Sequence, residues 1–421
     1  MLSTRLKTKR KLRKTHTQIR LILGSFLVLF LCAAAFGQVD SQWRGPFRTG
    51  IYPNEKLLDT WPEEGPKLVW SAEGLGDGYS SPAVTDSRVY LTGLIGSQGW
   101  LFAYDLDGKL LWKASYGKEW SGSHPGARTT PAVAGEHIYI MSAFGLAACF
   151  NSAGKAVWTK DLAKEFGARN IEWGMTESLL LDGDRVYCTP GGRNAIIAAL
   201  DRHTGKTLWT VKGNSETSAY CSPLLISHGG RRLLITMMQK SVVGIDADTQ
   251  EFLWSARHVT DYDVHANTPI YHEGNLFIFS GYGTGGQMFK ISSDGSSLEH
   301  VWSQSSMDSQ MGGAVLLDGY IYGSGHNRRG WSCLEWDTGK VRYTERQIGN
   351  KGNIIFSDGK FFCYSERGDV AVVAPDPEEF RVISSFRLRE GSGPHWAHLV
   401  IRSGRLYVRH GEVLMVYDIS K

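Results

Sequence analysis

Between Thr260 and Pro269 the chain reads TDYDVHANTP, which sets Asp261, Asp263 and His265 at alternating positions. Alternate side chains of an extended loop face one way, so two carboxylates and an imidazole would converge there. Such a set suits calcium through the carboxylates or a transition metal through the imidazole. No fourth donor stands beside them, and a loop hydrogen-bonded to a neighbouring unit accounts for the same pattern. A second stretch, NIEWGMTES, places Trp173 and Glu177 around Gly174. The glycines of GTGGQ near Gly283 and of PGGR at 190–193 precede no helix, and no GxSxG turn occurs, which excludes phosphate-loop and serine-hydrolase readings.

What must position these residues is a repeat. LDRHTGKTLW, ending at Trp209, recurs as AYDLDGKLLW at Trp112, CFNSAGKAVW at Trp158, GIDADTQEFLW at Trp254 and FKISSDGSSLEHVW at Trp302, with a degenerate copy, CLEWDTGKVRY, at Tyr343. Counted from KLVW at Trp70, the spacings are 42, 46, 51, 45, 48 and 41 residues. A period of forty-odd residues marks a propeller or solenoid. Within one unit, Thr129 to Trp158, turns at Gly135, Gly145 and Gly154 separate four short apolar runs, an antiparallel meander. In LDRHTGKTLW, Asp201 is placed to bond the turn backbone, Gly205 to take the left-handed position, and Trp209 to pack between adjacent blades.

Eight such units follow one another, but the last, ending in EVLMVYDI, lacks a fourth strand, while PKLVW at 66–70 precedes the first as an orphan. Pairing the two closes a ring. The expected fold is therefore all-β: an eight-bladed β-propeller of four-stranded antiparallel blades, closed by an N-terminal strand completing the last blade. The domain reading is 1–37 as signal peptide or membrane anchor, 38–65 as an irregular segment and 66–421 as the propeller.

In such a ring, the residues just before each first strand surround one mouth of the central channel. They read GYSSP, GARTTP, GMTES, AYCSP, VHANTP, SQMGG, GNKGN and GPHWAH. With the two stretches above, they supply candidate binding residues Arg128, Trp173, Glu177, Tyr220, Asp263, His265, Asn267, Gln310, Lys351, His395, Trp396 and His398. A concave mouth of charged, amide, imidazole and aromatic groups is a candidate ligand site. Solvated or blade-bridging side chains are the competing reading.

The formal charge of +4 is concentrated: residues 1–20 hold eight Lys or Arg and no acid, leaving 38 basic against 42 acidic residues beyond. Nothing in that mixed surface points to nucleic acid. The basic start precedes the uncharged run LILGSFLVLFLCAAAF and then Gly37, which reads as an export signal with cleavage after Ala35 or Gly37, or as an uncleaved inner-membrane anchor. Leu31 is bulky where a lipid-attachment signal at Cys32 would want a small residue. The expected location is thus periplasmic or extracellular. Five further cysteines, Cys149, Cys188, Cys221, Cys333 and Cys363, fall in different units with no CxxC, which favours buried strand thiols over disulfides or zinc.

The pattern AxDxxTGxxxW, clearest at Ala199 to Trp209, resembles the tryptophan-docking motif of PQQ-like eight-bladed propellers, over about residues 66–421. That superfamily includes quinoprotein alcohol dehydrogenases and the non-catalytic assembly factor BamB. The resemblance implies either a ligand- or protein-binding scaffold in the cell envelope or a PQQ- and calcium-dependent oxidoreductase acting on an alcohol or sugar. In the second case Glu177 and Asn267 would hold calcium, Asp263 would act as base, Arg128 or Lys351 would meet the quinone carbonyls, and Trp173 or Trp396 would form a stacking floor. The chain lacks the adjacent cysteine pair and CxxCH of such enzymes, and it adds WRGPFRTG, Trp43 to Gly50, before the ring. That opening resembles a group of secreted PQQ-like repeat proteins; its role is unexplained by the sequence, and no spacing decides whether it plugs or braces the ring.

Overall fold

The computed structural model describes residues 39–421, so the export-signal reading of 1–37 lies outside the described residues. Thirty-two strands form eight sheets of four. The second blade is typical: Ala132–Ala134, His137–Met141, Leu146–Asn151 and Ala156–Asp161 pair in sequence, each antiparallel to the next. The last sheet is the exception that closes the ring. Lys67–Ala72 pairs along Val413–Asp418, from Lys67 opposite Asp418 to Ala72 opposite Leu414, and so supplies the missing outer strand.

The blades are held together by the repeat motif. Asp201 accepts from the backbone N–H of His203 and Thr204 (3.1 and 2.8 Å), which tightens the turn, and Gly205 takes φ 69°. Trp158, from the preceding blade, lies on that turn: its indole N–H donates to the Arg202 carbonyl at 2.8 Å, and a Cβ on Gly205 would sit 2.7 Å from the ring. Trp70 over Gly108, Trp112 over Gly154 and Trp302 over Gly339 repeat the contact. Trp209 meets Tyr187 at 5.7 Å and packs into the cluster between blades three and four. In every blade the outer strand slips by one residue beside this position, as between Ala199 and Leu200, and the bulge aims the side chain at the neighbouring turn.

The docking position fails in the seventh blade, where Ser384 stands opposite Val372 beside the register slip. The N-terminal segment repairs it. Trp61 packs against Phe362 and Phe386 at 5.8 and 5.5 Å, and its backbone N–H donates to Ser384 Oγ. The five cysteines after the N-terminal run are buried and unbridged, as their spacing suggested.

Gly205 and Gly359 separate two effects, since both have left-handed φ but only Gly205 lies beneath a tryptophan; nothing comes within 4 Å of a Cβ on Gly359. Gly359→Ala should lower stability by about 1 kcal/mol, the left-handed penalty. Gly205→Ala adds overpacking and should lose about 2–4 kcal/mol, read as the difference in urea midpoint between the variants.

Candidate functional site

The innermost strand of each blade leaves one edge unpaired, so carbonyls near the axis need donors. The segment Trp43–Gly50 supplies them. Arg48 donates to the carbonyls of Ser178 and Pro223 (3.0 and 3.1 Å) and of Leu179 (2.5 Å), on blades three and four. Arg44 reaches the other side, donating to Ala314 O at 2.7 Å, Ile354 O at 3.3 Å and His398 Nδ1 at 3.0 Å. Both arginines are buried, and burial lowers each to about 10. Contacts to blades three, four, six, seven and eight put the segment on the axis, where it plugs the channel and braces the ring.

Above the plug, on the side of the loops that precede the first strands, lies a cavity of about 360 Å³. Trp43 forms its floor, 4.5 Å from His398, with its indole N–H donating to Thr268 Oγ1. Of the candidates, Arg128, Trp173, Tyr220, Gln310, Lys351, Trp396 and His398 line it. Below the plug is a second cavity of about 400 Å³, walled by Leu180, Leu181, Leu224, Leu225 and Ile270.

Five other candidates are turned away from the upper cavity, because small polar groups at this level join blade to blade. His398 N–H donates to Ser81 Oγ, Ser81 N–H to Thr130 Oγ1, Thr130 N–H to Ser178 Oγ and Ser178 N–H to Ser222 Oγ, all within 2.9–3.1 Å. Asn267 continues the circle, its amide donating to Ser309 O at 2.6 Å and accepting from Gly313 N–H at 3.1 Å. Glu177 is buried, accepting from Thr189 N–H at 2.7 Å and from the Thr189 hydroxyl. Desolvation raises its pKa to about 7 against those hydrogen bonds and Arg48. His265 is buried between Ser280 Oγ (2.8 Å) and Gln239 O (3.2 Å), and burial with the nearby His258 lowers it to about 3. Asp263 accepts from Gln239 Nε2 at 2.7 Å, and His395 stacks on His410 at 3.6 Å beside the Tyr364 hydroxyl.

These placements decide the chemistry available. Glu177 spends its oxygens on Thr189 within its own blade and Asn267 its oxygen at a blade junction, and among the described residues no three His, Cys, Asp or Glu side chains converge as metal donors. The residues therefore do not fit a calcium-held quinone, and the alternating loop Asp261–His265 does not assemble a donor set. His398 is also committed: Nε2–H donates to Met311 O at 2.7 Å while Nδ1 accepts from Arg44, so the ring is neutral, and burial and that guanidinium lower it to about 3.

Sequence reasoning missed Tyr282, His326 and Glu366, which line the cavity from turns after second strands. In an antiparallel meander the start of strand one and the end of strand two share an end of the blade, so FSGYG, GSGHN and YSERG were the signal. Tyr79 and His124 also line it, and Trp43 could be placed by no repeat register.

The family model described as outer membrane protein assembly factor BamB matches residues 97–345. The protein of that name from Kangiella koreensis is 28% identical over 212 residues, covering 48% of this chain and 49% of that protein. The chain thus spans about half the length of the curated relative it matches. The crystal structure of BamB from Moraxella catarrhalis aligns with a TM-score of 0.60 at 16% identity, covering 84% of this chain and 99% of that one. A europium-containing methanol dehydrogenase aligns at 0.62 and 13% identity, covering 88% and 90%. At these identities the structural likeness is one of fold.

Two outcomes test the interior. Arg44→Met keeps the stem but strands the carbonyls, and should lower stability by about 3 kcal/mol or more in urea unfolding. Glu177 has a folded-state value above the unfolded 4.5, so the stability it contributes is present below 4.5 and is lost as pH rises through about 7. Glu177→Gln should therefore gain on wild type from about pH 5 to pH 8, by up to about 3 kcal/mol in paired melts, whereas an ionised, stabilising Glu177 would reverse the trend.

Proposed function

We propose, from the premise that this chain belongs to the family described as outer membrane protein assembly factor BamB, that it acts outside the cytoplasm as a scaffold binding a protein partner in the cell envelope. The observation that carries the reading is on the rim. One residue before five of the six docking tryptophans, Val69, Leu111, Val157, Leu208 and Val301 are 39–49% exposed on outer strands whose far edges are unpaired, while Leu253 before Trp254 is half-buried. An open strand edge with apolar side chains accepts an added strand or an apolar loop from a partner.

Export rests on the basic start and apolar run before residue 38, cleaved or retained as an anchor. Among the described residues no helix is long and apolar enough to cross a membrane. The division into 1–37, 38–65 and 66–421 belongs to the same proposal, with the middle segment as the plug.

The test is photo-crosslinking in cells from Leu111, Leu208 and Val301, with Phe47, exposed away from the outer strands, as the comparison. The expected result is rim-specific adducts with a protein of outer membrane assembly, together with reduced outer membrane β-barrel proteins when the gene is deleted. Equal labelling from Phe47 and unchanged barrel levels would overturn it.

A further inference from the structure

The upper cavity is built for a ligand that the rim does not explain. Its aromatic groups come from opposite sides of the ring. Near blades eight, one and two, Trp396 lies 4.8 Å from Tyr79 and 5.3 Å from His124. Facing them, on the side of blades three to six, Trp173, Tyr282 and His326 line the wall, Tyr282 and His326 4.8 Å apart, with the exposed Tyr262 outside the lining bridging Trp173 and Tyr282 at 5.7 and 5.5 Å. Several of these sit on backbone that side chains rarely adopt: φ is 51° at His124, 65° at Trp173, 72° at Tyr220, 62° at Tyr262 and 58° at Tyr282. Such residues cost of order 1–3 kcal/mol each and persist where the surroundings hold them for use.

The charges are asymmetric. Lys351 pairs with Glu366 at 2.8 Å, and Glu366 also accepts the Trp396 indole N–H at 3.0 Å. Arg128 has no carboxylate partner among the described residues: its guanidinium donates only to the Gly126 and His124 carbonyls (2.9 and 2.5 Å) and lies 5.3 Å over the Tyr79 ring. Burial lowers its pKa, so the cation is held where an anion would relieve it. The cavity thus combines one cation that no carboxylate among the described residues contacts, with the buried Glu119 acting on it from further off, one ion pair able to donate and accept, the Gln310 amide, and aromatic surfaces on two sides.

We propose that this mouth binds a ring carrying hydroxyls and one carboxylate, a uronic acid, free or as the end of an acidic saccharide. The carboxylate pairs with Arg128, which can offer it a charge-assisted hydrogen bond. Hydroxyls, which donate and accept at once, match Lys351–Glu366 and Gln310, and the apolar ring faces lie against the aromatic walls. Calcium plays no part, and neither does the rim, so failure here leaves the scaffold reading standing and the reverse also holds.

The experiment is calorimetric titration of the full chain with glucuronate and galacturonate, with glucose and galactose as neutral counterparts and benzoate as an aromatic acid, alongside tryptophan fluorescence. A uronate should bind saturably and at least tenfold more tightly than its neutral counterpart. Arg128→Gln should erase that preference, and Trp396→Ala should weaken uronate and neutral sugar alike, both variants melting as wild type. If Arg128→Gln unfolds, Arg128→Lys, which keeps charge but loses the fork, should retain a reduced preference. Equal affinity for charged and neutral sugars, tighter binding of benzoate than of either uronate, or no uronate binding up to about 10 mM would overturn the proposal. A difference between the free acid and an oligosaccharide ending in it would tell which source the site takes.

Discussion

Everything in this molecule follows from the pairing of Lys67–Ala72 with Val413–Asp418. A sheet of four strands cannot bury both faces alone, so each blade depends on two neighbours and the first and last blades depend on each other. Sharing a blade between the two ends of the chain makes that junction out of backbone hydrogen bonds. It also dictates where the preceding residues go: the chain must reach the outer edge of the last blade, and residues 39–66 approach it from the axis. Ser41 pairs with Val133 on blade two, Ile51 with Phe356 on blade seven and Leu57 with Ser420 beyond the closing strand.

That route turns a leader segment into part of the core. The axis of a propeller is lined by strand edges whose carbonyls lack partners, and a guanidinium carries enough donors to serve several at once. Arg44 and Arg48 do so with no acidic partner in contact among the described residues, which is tolerable because oriented carbonyl dipoles replace the lost water. The same segment carries Trp43 to the floor of the mouth and Trp61 to the blade junction that lacks its own docking aromatic. One stretch of chain closes the channel, shapes the cavity and mends the weakest repeat.

The mouth has two levels with different physics. Lower down, hydroxyls and amides bond across blade boundaries, and Glu177, His265 and Asn267 are absorbed there with their hydrogen-bonding capacity used. Higher up, long and aromatic side chains reach inward from the loops, several on left-handed backbone that hydrogen bonds between neighbouring loops hold in place. The lower level joins blade to blade, and the upper presents side chains to the cavity.

The fold was legible in the sequence because its signals are local. Asp201, Gly205 and Trp209 recur at fixed spacing since each makes its contact within one turn or the adjacent blade, and the unmatched ends of the repeat array already required ring closure. The set of loops around the mouth was legible for the same reason. Which side chains face the cavity was not: Glu177 and Arg128 occupy comparable loops, yet one bonds Thr189 inside its blade and the other looks into the mouth. That choice depends on which donors each side chain meets, such as Thr189 beside Glu177, and on the arginines of the plug, which the repeat spacing does not reveal. Sequence alone determined the number of blades, their docking and their closure; only the tertiary structure decided which polar groups are spent holding blades together and which are left to bind.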